Sequence, residues 1–301
     1  ALPIWLGIGV APLAAPGPSD APPRDGPPHA AWLGVPLARE ITESRAALEA
    51  ARPGWVIVDH YALDARWERE AVPEGARVLA IDDLADRPHS CSLLLDQTLG
   101  RRAEDYAGLV PDRARLLLGP AYAPLRPGFA ARRAESLARR RAPRLRRLLV
   151  TMGGVDAPNA TTRALEALAG SGIRPDTEIV AVMGADAPWI GAARAAAAAS
   201  PFRAEVKVGI EEMAAEMAAA DLAIGAAGTT AWERCALGLP TLMLVLAENQ
   251  RGIARALDAA GAARSLGAVD DPGWPARLGA AVRAMRDPDA LSAMSAAAAA
   301  I

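Results

Sequence analysis

From Trp32 onward the chain alternates two apolar patterns: short unbroken runs, and longer stretches in which apolar positions recur every three or four residues. The runs at Trp55–Val58, 78–81, Leu93–Asp96 and 116–118 are too short for helices and read as strands buried on both faces, as in parallel sheets. A helical period over Leu37–Ala51 precedes the first of them. Each run ends in polar or turn residues: Asp59-His60-Tyr61, Asp82-Asp83, Asp96-Gln97 and Gly119-Pro120. Open parallel sheets bind ligands beyond the carboxyl ends of their strands, so a cleft is expected at these clusters.

An arginine-rich helical stretch at 129–141 leads through Ala142-Pro143 to a second start at Leu148. The arginines from Arg139 to Arg147 read as a solvated helix end and linker, because the segments on either side are charge-balanced. Beyond them strands are expected at 148–152, Glu178–Met183, 205–208, 222–225 and 241–244. Helices are expected near 159–169, 189–199, 210–220, 230–237, 250–260 and 272–285. This alternation predicts a doubly wound parallel sheet. The fold class is therefore α/β, with two Rossmann-type domains at 1–142 and 143–301 enclosing a cleft. The apolar segment 1–10 reads as a strand of an incomplete first domain, followed by a Pro-rich loop at 12–28; it lacks the basic flank and cleavage pattern of a signal peptide. The alanine run 296–300 ends without a cap, and the natural chain is expected to continue.

Composition narrows the partners. Hydrophobic residues make up 52% of the 301 positions and charged residues 23%, enough apolar material for two sizeable cores. A net charge of −2 gives no electrostatic case for nucleic acid. Cys91 and Cys235 lack metal-ligand spacing and read as reduced thiols of a cytoplasmic protein. His29, His60 and His89 stand apart from one another and from other ligands, so neither a metal nor a cofactor is expected. No apolar run reaches the length of a membrane span.

The candidate chemistry lies on the turns. Gly225-Ala226-Ala227-Gly228-Thr229-Thr230-Ala231-Trp232-Glu233 joins a strand to a helix, an order that presents backbone N–H groups to a phosphate. Thr230 and Glu233, three apart, share a helix face. Phosphate at the helix start and a carboxylate one turn inside suit a nucleoside diphosphate, with Glu233 accepting from the ribose hydroxyls. The same Thr-x-x-Glu spacing is also a capping box, and both readings stand at this point. Gly153-Gly154, after the first strand of the second domain, repeats the logic, with Asn159 placed to cap the next helix or to meet a ligand. Asn249-Gln250, after a later strand, offer amides to sugar hydroxyls, or Asn249 caps its helix. His60, between Asp59 and Tyr61 at a strand end, is a candidate acid/base, placed better than His29 or His89. Asp64 to Glu68 read as a helix start with an intrahelical charge pair, and Asp82, Asp83 and Asp96 as capping groups.

Taken in order, Val58-Asp59-His60-Tyr61-Ala62-Leu63-Asp64-Ala65-Arg66-Trp67-Glu68, Ile81-Asp82-Asp83-Leu84, Leu95-Asp96-Gln97, Leu118-Gly119-Pro120, Gly153-Gly154 with Asp156 and Asn159, and Glu248-Asn249-Gln250 are similar to a known set of motifs. From about His29 to its end the chain resembles the UDP-2,4-diacetamido-2,4,6-trideoxy-β-L-altropyranose hydrolases of pseudaminic acid biosynthesis, which share the GT-B architecture of MurG-like glycosyltransferases. The resemblance implies a second domain that binds UDP. Glu233 would hold the ribose, Gly153, Gly154, Gly228, Thr229 and Thr230 would lie near the diphosphate, and Asn159, Asn249, Gln250 and Tyr61 would contact substrate. It further implies metal-independent water attack at the anomeric carbon with inversion, by a monomer whose only partner is its UDP-sugar. The family's Gly-x-Gly-His-x-x-Arg loop, whose histidine is the proposed base, has no match here and would lie before Ala1; Ser92 also stands where an Asp is expected. Loss of a positioned base typically costs about 10²–10⁴-fold in rate.

Overall fold

The computed structural model describes residues 10, 12–17 and 26–301; the strand expected at 1–10 and part of the loop at 12–28 fall outside them. The chain divides into two compact units, Ala1–Tyr122 and Ala123–Ile301.

In the first unit, helix α1 (Leu37–Ala51) precedes strand β1 (Trp55–Val58), followed by α2 (Ala65–Ala71), β2 (Arg77–Ile81), β3 (Leu93–Asp96) and β4 (Arg115–Leu118). The strands are parallel and lie in chain order, with Val56 opposite Val78, Leu79 opposite Leu93 and Leu94 opposite Leu116. Val56, Val58, Val78, Ala80 and Leu94 pack with Ile41 of α1 and Trp67 of α2 into one core. The Asp64 carboxylate starts α2 by accepting from the N–H groups of Arg66 and Trp67 at 2.9 and 3.4 Å. The intrahelical pair behind it is Arg66–Glu70, at 3.0 Å. Glu68, on the opposite face, is buried.

The second unit opens with α3 (Pro127–Arg139), whose proline occupies the first turn, where its missing N–H costs nothing. Then come β5 (Arg147–Thr151), α4 (Ala160–Ala169), β6 (Glu178–Met183), α5 (Ile190–Ala198), β7 (Arg203–Val208), α6 (Met213–Ala219), β8 (Leu222–Ala226) and α7 (Thr230–Ala236). The unit ends with β9 (Thr241–Val245), α8 (Arg251–Ala259), β10 (Arg264–Ala268), α9 (Trp274–Ala284) and α10 (Pro288–Ala299). Its six parallel strands run β10-β9-β8-β5-β6-β7, so the winding direction reverses between β5 and β8. The central strands are buried from end to end at β8 and β9 and bury Leu148, Leu149 and Val150 of β5, as expected of a sheet covered on both faces. Strand β10 and helix α10 go beyond the sequence expectations. β10 buries only Leu266 and lacks a β-branched run, while α10 is an alanine-rich stretch whose periodicity is nearly featureless, started by the Asp287 carboxylate on the N–H of Asp289.

The boundary lies earlier than residue 142, and the arginines explain the correction. Helix α3 belongs to the second unit: Phe129 is fully buried against Leu149, Val180 and Met217. Arg140, expected in solvent, is buried, and donates from Nη2 to the carbonyls of Ala220 at 3.0 Å and Met217 at 3.3 Å, at the end of α6. Burial lowers its pKa to about 10, which leaves it cationic at neutral pH. Arg133 donates to the carbonyls of Ala236 and Ala299, at the ends of α7 and α10, and Ser136 to that of Leu237 at 2.8 Å. Guanidinium groups thus satisfy carbonyls that a helix end cannot pair for itself. Arg139 and the N–H groups of Arg146 and Arg147 meet the Asp221 carboxylate. Arg140→Met should destabilise the protein by about 1–3 kcal/mol in denaturant unfolding, since two buried carbonyls lose a charged donor. Arg139→Met, at a half-exposed pair, should cost less than about 1 kcal/mol in the same measurement.

Candidate functional site

A reversal of strand order leaves a crevice at the carboxyl edge of a parallel sheet, because the connections on either side depart to opposite faces. Here that point lies between β5 and β8, where Thr151 stands opposite Gly225. Both strands run directly into the two glycine turns, so the expected juxtaposition of the turns at one edge is met. Gly153 adopts φ +87°, which L side chains rarely tolerate, and both Gly153 and Gly154 are exposed. The Asn159 expectation needs correction. The start of α4 is capped by Asp156, whose carboxylate accepts from the N–H groups of Ala160 and Thr161 at 2.8 Å each. Asn159 takes a left-handed backbone, φ 57°, makes no cap, and buries an Oδ1 without a partner among the described residues. An unpaired buried amide oxygen at a crevice is the kind of group that a ligand donor satisfies.

Across the crevice, the N–H groups of Gly228, Thr229 and Thr230 precede the first hydrogen bond of α7, from Ala231 N–H to the Gly228 carbonyl. Neither half of a Thr230–Glu233 capping box forms. The Thr230 hydroxyl accepts from Arg234 Nη1 at 3.1 Å, and Glu233 faces Arg126 Nη2 at 3.5 Å, with 16% of its side chain exposed. Burial raises the Glu233 pKa, and the charges of Arg126 and Arg234 oppose the rise. After β9, the next strand, the chain turns through Asn249 and Gln250. Gln250, not Asn249, stands at the N-cap of α8, and without capping it: its Oε1 accepts from Leu246 N–H at 2.9 Å. Its Nε2 lies beside Gly228, 3.6 Å from where a Cβ would stand. Three neighbouring strands thus gather Gly153, Gly154, Asn159, Gly228, Thr229, Thr230, Glu233, Asn249 and Gln250 at one edge. Arg126 and Arg234 were missed, since neither spacing nor periodicity marks an arginine that reaches a carboxylate distant in the chain, as Arg126 does, or one that folds back onto its own turn, as Arg234 does.

His60 and Tyr61 belong to the first unit, at the end of β1. His60 Nδ1 accepts from Ala62 N–H at 3.1 Å, closing a turn, so its neutral ring carries the proton on Nε2. Tyr61 donates to Asp83 at 2.8 Å. The histidine most strongly engaged in this unit is His89, which sequence reasoning ranked below His60. Buried, it donates from Nδ1 to Glu68 at 2.7 Å, and its Nε2 faces Asp82 at 3.8 Å. Arg87 Nη1 donates to Asp82 at 2.7 Å, Tyr106 sets its hydroxyl between Asp82 and Asp96 at 3.0 and 2.9 Å, and Arg101 closes on Asp96. The capping expectation holds for Asp82, which accepts from Ala85 N–H, and for Asp96, which accepts from Thr98 N–H. Asp83 caps nothing among the hydrogen bonds described and instead pairs with Tyr61. Burial alone would lower the His89 pKa, but the Asp82 and Glu68 carboxylates outweigh it and raise it to about 9. For Asp82, burial acts upward, and His89 and Arg87 hold it well below the usual carboxylate range.

Residues 162–300 match the glycosyltransferase family 28 C-terminal domain. The chain is 29% identical over 128 residues to the UDP-2,4-diacetamido-2,4,6-trideoxy-beta-L-altropyranose hydrolase of Campylobacter jejuni, a match covering 42% of each protein. It is 30% identical over 158 residues to the spore coat polysaccharide biosynthesis protein SpsG of Bacillus subtilis, covering 52% of this chain and 45% of that one. The matches thus span less than half the length of either curated relative. Among solved structures, MurG of Acinetobacter baumannii superposes with a TM-score of 0.58 at 18% identity, over 89% of this chain and 74% of that one. The fold is GT-B, built from two parallel-sheet α/β units. Among the described residues, no helix is long and apolar enough to cross a membrane.

A group whose pKa rises on folding contributes stability that is complete below its unfolded value and lost as pH rises through its folded one. For His89 that interval runs from about 6.5 to about 9, so unfolding free energy should fall across it. His89→Gln should flatten that slope in urea titrations, and His89→Leu, which strands Glu68, should cost about 3–5 kcal/mol.

Proposed function

We propose that this protein releases UDP from a UDP-linked 2,4-diacetamido-2,4,6-trideoxy sugar by admitting water to the anomeric carbon, inverting it, without a metal. The observation that carries the reading is the pairing of two glycine turns across the β5–β8 crevice with a shielded carboxylate one helical turn further in. In this reading the N–H groups of Gly154, Gly228, Thr229 and Thr230 receive the diphosphate oxygens, whose charge suits an unpaired helix start. Glu233, facing Arg126 Nη2 at 3.5 Å, accepts from the two ribose hydroxyls. Asn159 and the Asn249-Gln250 amides meet the diphosphate and the sugar, and His60 is the acid/base candidate within the chain, with Tyr61 at the substrate. The match to the Campylobacter jejuni hydrolase and the order of the sequence motifs favour water as the acceptor.

A second reading keeps the same nucleotide site and replaces water with an acceptor hydroxyl, making the protein a glycosyltransferase. The match to the family 28 glycosyltransferase domain favours it. Incubation with the UDP-sugar separates the two: free sugar without added acceptor supports hydrolysis, and strict acceptor dependence supports transfer. UDP binding with neither product would mark a binding module. Within the site, Glu233→Ala should weaken UDP binding by about 1–3 kcal/mol in calorimetry with little change in thermal midpoint. No heat of UDP binding to the folded wild-type protein would sink both enzymatic readings.

A further inference from the structure

Six arginines crowd residues 139–147, and the contacts described so far occupy only some of them. Arg139 pairs with Asp221, Arg140 is seated on helix carbonyls, and Arg147 reaches Glu178 at 3.3 Å and Glu216 at 2.8 Å. The guanidinium groups of Arg144 and Arg146 make no hydrogen bond or ion pair among the described residues. Both line a cavity of about 390 Å³ at the amino-terminal edge of the second sheet, just ahead of Arg147 and Glu178, where β5 and β6 begin. That edge is opposite the glycine turns, so the cavity is no part of the crevice.

Two further segments bring arginines to the same wall. Arg174 opens a turn that the Thr177 N–H closes on its carbonyl at 3.0 Å, with Pro175 presetting the first bend. Arg286 follows α9 and donates from Nη1 to the Gly172 carbonyl at 3.3 Å. Four guanidinium groups from three segments thus line one space, against the single carboxylate of Asp176. Arg174 grips that carboxylate through two bonds, at 2.9 and 3.2 Å. Those bonds lower the Asp176 pKa, and the charge of Arg146 adds to the effect. The neighbouring acids are committed elsewhere: Asp221 to Arg139 and the N–H groups of Arg146 and Arg147, Glu178 to Arg147, and Asp287 to the N–H of Asp289. Beneath the arginines the floor is apolar, with Leu145 half-buried and Ile173 buried.

Exposed arginines normally spread apart, because like charges repel and water solvates each one singly. Here the start of β5, the proline turn and the end of α9 fix where each side chain begins, so the charges converge despite their repulsion. A concave wall of one sign over a low-dielectric floor focuses its field and concentrates counter-ions. The chain as a whole carries −2, so the effect is local. The volume lies in the range of small-molecule sites, and guanidinium forks match phosphoryl oxygens two at a time. We infer that this cavity is a second anion site, which takes a small molecule bearing an oligophosphate and holds it by Arg144, Arg146, Arg174 and Arg286. It goes beyond the UDP reading and does not rest on it. With one of the four cations neutralised by Asp176, the remainder calls for a ligand carrying several negative charges, and inorganic phosphate is too small a charge to fill it.

Calorimetry at low ionic strength tests this with phosphate, pyrophosphate and tripolyphosphate, each titrated with UDP already present to occupy the crevice. Wild type should bind tripolyphosphate more tightly than pyrophosphate, and pyrophosphate more tightly than phosphate. Arg144→Ser/Arg146→Ser should weaken tripolyphosphate about tenfold to a hundredfold, the range for hydrogen bonds to a charged group, and leave UDP affinity unchanged. Arg141→Ser/Arg194→Ser removes the same charge from exposed positions outside the cavity and should change neither. ATP in place of tripolyphosphate separates two sources of the same chemistry: tighter binding assigns the site to a nucleotide resting on Leu145 and Ile173, and binding no tighter assigns it to the bare oligophosphate. No tripolyphosphate binding by wild type, equal losses in the two double variants, or hexaglutamate binding as tightly as tripolyphosphate would overturn the inference. Absence of UDP binding would remove the nucleotide reading, and the comparison of the two double variants would still decide this one.

Discussion

The reversal of strand order between β5 and β8 is the constraint on which the second unit's chemistry depends. Neighbouring parallel strands normally send their connections to the same face, which closes the edge above them. Where the order reverses, the Gly153 turn and the Gly228 turn leave toward opposite faces, and the edge between them stays open. Strand β9 adds Gln250 alongside, because Ala226 is held opposite Leu244. The polar groups that collect there come from segments nearly a hundred positions apart, yet their arrangement needs only the ladder register of three strands.

The two units handle buried charge in contrasting ways. In the first, Glu68, Asp82 and Asp96 are matched by His89, Arg87 and Arg101, with Tyr106 bridging two of the acids. Every strand end in that cluster is tied to a helix or loop by a charged hydrogen bond, and the result is a rigid scaffold rather than a reactive group. In the second, Arg133 and Arg140 meet helix carbonyls with no carboxylate of their own. Arg140 and Arg234 are each left with an unpartnered buried Nε.

Much of this could be read from residues alone, and the failures are informative. Strands such as Trp55–Val58 and Glu178–Met183 were visible because a buried parallel strand is a short apolar run. The turn residues were visible because glycine, threonine and asparagine at a strand end have few other uses. What escaped was every role set by a partner distant in the chain. His89 and Glu68 are separated by a strand and two turns, and nothing in either local pattern announces that they meet. The arginines after Phe129 looked solvated because composition cannot tell a guanidinium in water from one seated on a carbonyl. Asn159 looked like a cap because it holds the right position, and the task had passed to Asp156, three residues earlier.

Helix α3 has a consequence for how such proteins can be divided or recombined. Arg133 and Ser136 of the helix and Arg140 at its C-cap close the ends of α7, α10 and α6, so the helix acts as a keystone for a sheet that begins only at Arg147. A crossover between homologous genes at the proline after Ala142 would graft a foreign keystone onto three helices whose terminal carbonyls are spaced for this one. A crossover near Tyr122 would carry the keystone with its arch. The natural seam for shuffling halves among relatives is therefore the short loop before Pro127, well upstream of where the second sheet starts.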